Sequence, residues 1–161
     1  MPPTRVPSEL VAQLNAGRFP WWFPKGAISG RLAFDYFAYG TDFVPLAASG
    51  TTTNPISINS DSAFLCLSAC LTLTDTTNLI VLAFRPLLTM LSEAGGARNL
   101  FNTPQHVENI FGTAEEPKYL DVPKVWLPNS TVNVQMQNLD TVNARNVRVT
   151  FHGFKIFGFS Q

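Results

Sequence analysis

The chain has 161 residues, enough for one domain with a two-sheet core. Lys plus Arg and Asp plus Glu number 11 each, and only 14% of residues are charged, against about 25% in an average domain. That balance, with no Lys/Arg cluster, argues against nucleic acid as a direct partner, since a basic face is what drives backbone binding by counterion release.

Thr, Asn, Ser and Gln take the place of the missing charge, a surface that suits a protein assembled with other subunits. No apolar stretch reaches the roughly 18 residues of a membrane span, so no membrane partner is expected. Met1 to Pro7 lacks the apolar core of a secretory signal, so synthesis and assembly in a cytoplasm are expected.

Residues 1–25 read as an N-terminal arm. Ser8 opens a short helical pattern with Leu10, Val11 and Leu14 on one side and Gly17 as its stop. Val11 stands where a capping box would need Glu or Gln. Phe19-Pro20-Trp21-Trp22-Phe23-Pro24 follows, and its prolines bar helix or central strand. Phe19, Trp21, Trp22 and Phe23 are the candidate protein-interaction residues, because Trp and Phe carry the apolar area of interface anchors. The same four side chains could equally plug one end of the chain's own sandwich.

Residues 26–161 read as a β-sandwich domain. Strands are expected over Arg31–Val44, Thr51–Ile58 and Ser62–Thr74, with a turn at Asp75–Asn78. In the third strand the alternation puts Leu65, Leu67, Ala69, Leu71 and Leu73 on one face. Phe64, Cys66, Ser68 and Cys70 then share the other. Cys66 and Cys70 would lie about 13 Å apart along a strand, too far for the roughly 7 Å of a disulfide, so two free thiols are expected.

A long apolar strand over Leu79–Ser92, bent or divided at Pro86, comes next. An irregular passage from Gly95-Gly96 to Pro123 follows, with one or two helical turns within Pro104–Phe111. Lys124–Leu127 and Thr131–Gln137 are strands, the latter alternating strictly. In the last strand, Asn146–Phe159, Phe154 and Ile156 fall out of phase with Val147, Val149 and Phe151, which suggests a β-bulge at Gly153. About eight strands without a helical period in the body indicate an all-β antiparallel sandwich, a jelly roll by expectation, carrying an extended N-terminal arm with a short helix.

Catalytic chemistry does not show itself. The two histidines, His106 and His152, are far apart and form no cluster with carboxylates, so neither metal nor cofactor is expected. Nucleophile elbows, phosphate-cradling loops and dinucleotide fingerprints are missing from the sequence. A carboxylate pair drawn from Asp35, Asp42 and Asp61 is the one enzymatic arrangement left open. Asn129-Ser130-Thr131 matches a glycosylation acceptor that is expected to be idle without a secretory signal.

Five segments carry a resemblance. They are Asp35-Tyr36-Phe37-Ala38-Tyr39, Asn59–Phe64, Leu127–Thr131, Gln137-Asn138-Leu139 and Val147–Phe157. In these the chain resembles a family of small virion proteins of tailed bacteriophages that accompany major capsid proteins. The resemblance implies a jelly-roll cement or decoration protein on the capsid surface, with the major capsid protein and its own copies (a homodimer or homotrimer) as partners. It supplies no contact residues and does not cover the arm. A phage tail or fibre module, of a kind that could bind glycan, is the alternative; an enzyme is not expected.

Overall fold

The computed structural model describes residues 8–24, 28–93 and 98–159. Met1–Pro7 and Gly95-Gly96 lie outside the described residues. The strands are β1 (Ile28–Leu46), β2 (Thr51–Ser57), β3 (Ala63–Thr74), β4 (Leu87–Glu93), β5 (Arg98–Asn99), β6 (Gln105–His106), β7 (Lys118–Trp126), β8 (Thr131–Asn138) and β9 (Arg145–Phe159). Two short helices, α1 (Ser8–Asn15) and α2 (Val107–Ile110), accompany them. One antiparallel sheet has the order β1-β9-β3-β7. The other runs β2-β8-β4, with β5 and β6 pairing the far edge of β4. The two sheets face each other as a sandwich.

The prolines explain which strands lie at the edges. Pro45, Pro55 and Pro123 fall within β1, β2 and β7, and all three are edge strands. Proline has no N–H to give to a ladder, so it is tolerated where one side is unpaired. The centre of the first sheet, β9 and β3, contains none. Strand β7 begins at Lys118, well before the expected Lys124. Its pairing with β3 breaks between Tyr119 and Lys124, around Pro123.

The core between the sheets forms as the alternation of β8 predicts. Val132, Val134 and Met136 are fully buried and alternate with half-exposed polar residues. Facing them, Phe64 stacks on Trp126 with ring centres 5.9 Å apart, and Trp126 meets Phe151 edge-on at 5.2 Å.

The bulge lies in β3, not in β9. The register of β9 against β1 is continuous from Phe157 to Val147. Against β3, Cys66 pairs with Gly153 and Ser68 with the adjacent His152, leaving Leu67 as the extra residue. The phase of β3 therefore flips. Phe64 and Cys66 join Ala69, Leu71 and Leu73 in the core, while Leu65 belongs to the opposite face. The expected single alternation through β3 is corrected accordingly. Gly153 is required there, because a Cβ would overlap the Leu65 carbonyl oxygen.

Phe154 and Ile156 turn outward by ordinary alternation, and around Ile156 that outer face is covered by the arm. Helix α1 ends as Gly17 predicts. With Gly17 at φ 72°, its N–H reaches Leu14 O at 3.0 Å and the Arg18 N–H reaches Gln13 O at 2.9 Å, a Schellman closure. The Asn15 carboxamide oxygen then accepts from Leu32 N–H at 2.9 Å, tying helix to sheet.

The expected strand over Leu79–Ser92 forms only in its second half. Pro86 cannot continue a ladder in mid-sheet, and before it only Val81 makes an isolated bridge, to Thr74. Residues 75–86 are a connection across the end of the sandwich.

Candidate functional site

The four aromatics of the arm divide by burial. Phe23 is 2% exposed and packs with Leu14 against Leu32, Ala63, Leu65 and Ile156. Phe19 stacks on it at 5.6 Å and Trp22 meets it edge-on at 5.9 Å; both are half-buried. Trp21 is 81% exposed. Phe23 is thus a packing residue of the chain's own outer sheet face, and Trp21 alone of the four projects its ring into solvent.

A larger apolar surface lies at the opposite end of the sandwich, on residues whose sequence predicts a strand. In the β3–β4 connection Leu79 is 83% exposed and Phe84 80%, with Ile80 and Val81 also exposed. The β8–β9 connection adds Val142 at 80%, and Leu139. A backbone hydrogen bond from Leu139 N–H to Pro86 O, 2.8 Å, joins the two connections. Between them runs a groove of about 650 Å³ whose polar rim includes Arg85, His106, Glu108, Asp140 and Arg145.

Each connection is braced from within by one aspartate. The Asp75 carboxylate accepts from the Thr77 hydroxyl at 2.7 Å and from Leu79 N–H at 3.1 Å. The Asp140 carboxylate accepts from Val142 and Asn143 N–H, both at 2.9 Å, and from Arg145 at 2.8 Å. These donors hold both carboxyls below the usual carboxylate range: for Asp75 the Thr77 hydroxyl leads, and for Asp140 the Asn143 backbone N–H. Arg85 forms an ion pair with Glu108 at 3.5 Å and donates to Gly112 O at 3.1 Å. Apolar side chains therefore stand exposed on backbone that is already fixed.

One polar cluster lies on the outer face of the first sheet. His152 Nδ1 is 2.9 Å from the Tyr36 hydroxyl, and its Nε2 is 3.4 Å from Cys70 Sγ. Burial pushes the Cys70 thiol up, offset to a degree by a hydrogen bond with Thr150, and pushes the His152 imidazole down. Both shifts run toward the neutral groups and against the thiolate–imidazolium form that a nucleophile would need. Cys66 is buried on the other face, its thiol driven far up by desolvation. Both cysteines are free. Among the described residues, no three His, Cys, Asp or Glu side chains gather as a metal site would need, and no helix is long and apolar enough to cross a membrane.

The apolar end had a signal in the sequence. An apolar run from Leu79 to Phe84 sits between a turn cluster and Pro86, where proline argues against a central strand. Comparison with protein-family models, curated proteins and solved structures finds no match for this chain.

Proposed function

We propose that this chain is a non-enzymatic virion structural subunit, a cement or decoration protein that stabilises a capsid by protein–protein contacts. The observation that carries the reading is the exposed apolar end formed by Leu79, Ile80, Val81, Phe84 and Val142. Exposed apolar side chains gathered on braced backbone mark a docking site, and arginine, here Arg85 and Arg145 lining the adjoining groove, is enriched at such sites. Two further features support it. With β5 set aside as accessory, we read the orders β1-β9-β3-β7 and β2-β8-β4-β6 as compatible with a jelly roll, an architecture that recurs in viral capsid domains. The low, balanced charge fits a life in an assembly. On this reading the partners are the major capsid protein and further copies of the chain, as homodimer or homotrimer, and the location is the capsid surface.

Co-sedimentation with shells of the major capsid protein encoded in the same genome tests the reading. The wild-type chain is expected to pellet with the shells. A Leu79→Ser, Val81→Ser, Phe84→Ser variant should stay in the supernatant while melting at the wild-type temperature. A wild-type chain that remains in the supernatant would sink the proposal.

A further inference from the structure

A second cavity, of about 310 Å³, lies between the sheets where β7 borders the residues that follow β5. Ala69, Leu91, Leu100, Phe101, Trp126 and Phe151 line it, and the more exposed Lys118 and Lys124 flank its opening. Protein cores are packed so tightly that voids larger than a water molecule are few, and this volume reaches the lower end of small-molecule pockets.

One of its lining residues carries a buried, unsatisfied polar group. Trp126 is 3% exposed, and its buried Nε1–H has no acceptor among the described residues. A buried indole N–H ordinarily has a partner, because leaving a desolvated donor unpaired is costly. The ring is held by stacking on Phe64 and by an edge-on contact with Phe151, so the indole cannot swing out to find one without losing both contacts.

While Asn109, Lys118, Tyr119, Asp121 and Lys124 supply its polar part, a largely apolar, aromatic lining with one buried, unpaired donor defines the occupant. It must be largely apolar, small, and carry one hydrogen-bond acceptor. A charged head is disfavoured at a desolvated site with no buried counter-charge, and Lys124 is already paired with Glu93 at 2.7 Å. We propose that this cavity binds a small neutral carbonyl compound, its oxygen accepting the Trp126 N–H and its hydrocarbon portion lying against Leu91, Phe101 and Phe151. The site is independent of the capsid reading, since its lining shares no residue with the groove at the exposed end.

The test compares acetophenone with α-methylstyrene, which has the same shape but a CH₂ in place of the carbonyl oxygen. In ¹⁵N-labelled protein the three tryptophans give three indole N–H resonances. Acetophenone should shift that of Trp126 saturably and leave those of Trp21 and Trp22 in place. α-Methylstyrene should bind about tenfold more weakly, the loss of one hydrogen bond. Trp126→Phe, which keeps an aromatic ring and removes the donor, should bring the two affinities together. An unmoved Trp126 resonance at millimolar acetophenone overturns the proposal, and so do equal affinities of the two probes for the wild type. Should Trp126→Phe not fold, the wild-type comparison of the two probes decides alone.

Discussion

Gly153 shows how one residue sets the architecture around it. The bulge in β3 brings the Leu65 carbonyl to where a Cβ at 153 would lie. Gly153→Ala has to push the central strands β3 and β9 apart, and the expected cost is about 3 kcal/mol, read as a lower melting temperature. An alanine variant that melts with the wild type would mean the bulge can relax. A glycine in the last strand was visible in the sequence, and a bulge beside it was the right kind of device, but its strand was misplaced. The out-of-phase residues looked like a slip in β9. They are in fact a second apolar face, and alternation alone cannot separate a slipped register from a strand buried on both sides.

His152 offers a second residue-scale test. Its folded pKa is lowered by burial, so near pH 6.5, where an exposed imidazole titrates, the unfolded chain takes up the proton more readily. Stability is therefore complete above about pH 6.5 and declines as pH falls toward the folded value. Thermal melts of wild type and His152→Gln between pH 7.5 and pH 5 should diverge, with the wild type losing more on acidification. Parallel curves would refute the assignment.

At the scale of elements, the arm shows a choice that its sequence leaves open. Four aromatics between prolines suit an interface anchor and a plug of the chain's own sandwich equally, and Phe23 takes the second role. Phe23→Ala should cost about 3–5 kcal/mol, whereas Trp21→Ala should change stability by no more than about 0.5 kcal/mol. Differential scanning calorimetry of the two variants distinguishes them, and equal losses would contradict the packing of the outer sheet face. Leu79 to Phe84 are expected to be part of a strand and instead lie in a connection, with Leu79, Ile80, Val81 and Phe84 exposed. Strand existence was legible because β8 and β9 alternate against turn residues. Burial of 79–84 was not, because local hydrophobicity does not report whether a partner strand exists to pair with.

For the whole molecule, the sandwich class followed from strand count and turn spacing, while the strand order did not. It depends on which of several similar β segments meet across the body, information that no local pattern contains. The candidate surface was legible only in part, for the same reason: the apolar run at Leu79–Phe84 stood out, but its neighbour in space did not. Leu79–Phe84 and Leu139–Val142 are remote in sequence and become one surface only when Leu139 pairs with Pro86.

Zero net charge has a consequence for how such a surface finds its target. On the docking proposal, a chain without net charge gains little long-range steering and should meet its partner near the unguided rate, about 10⁵–10⁶ M⁻¹s⁻¹, a rate that should barely respond to ionic strength. Surface plasmon resonance on immobilised shells at 50 mM and 500 mM NaCl should give association rates within about twofold of each other, where a steered pair would slow steeply. Occupancy would then be governed by how slowly a seated copy lets go. The fixed backbone beneath Leu79, Phe84 and Val142 favours long residence, since little chain freedom is left to regain on release.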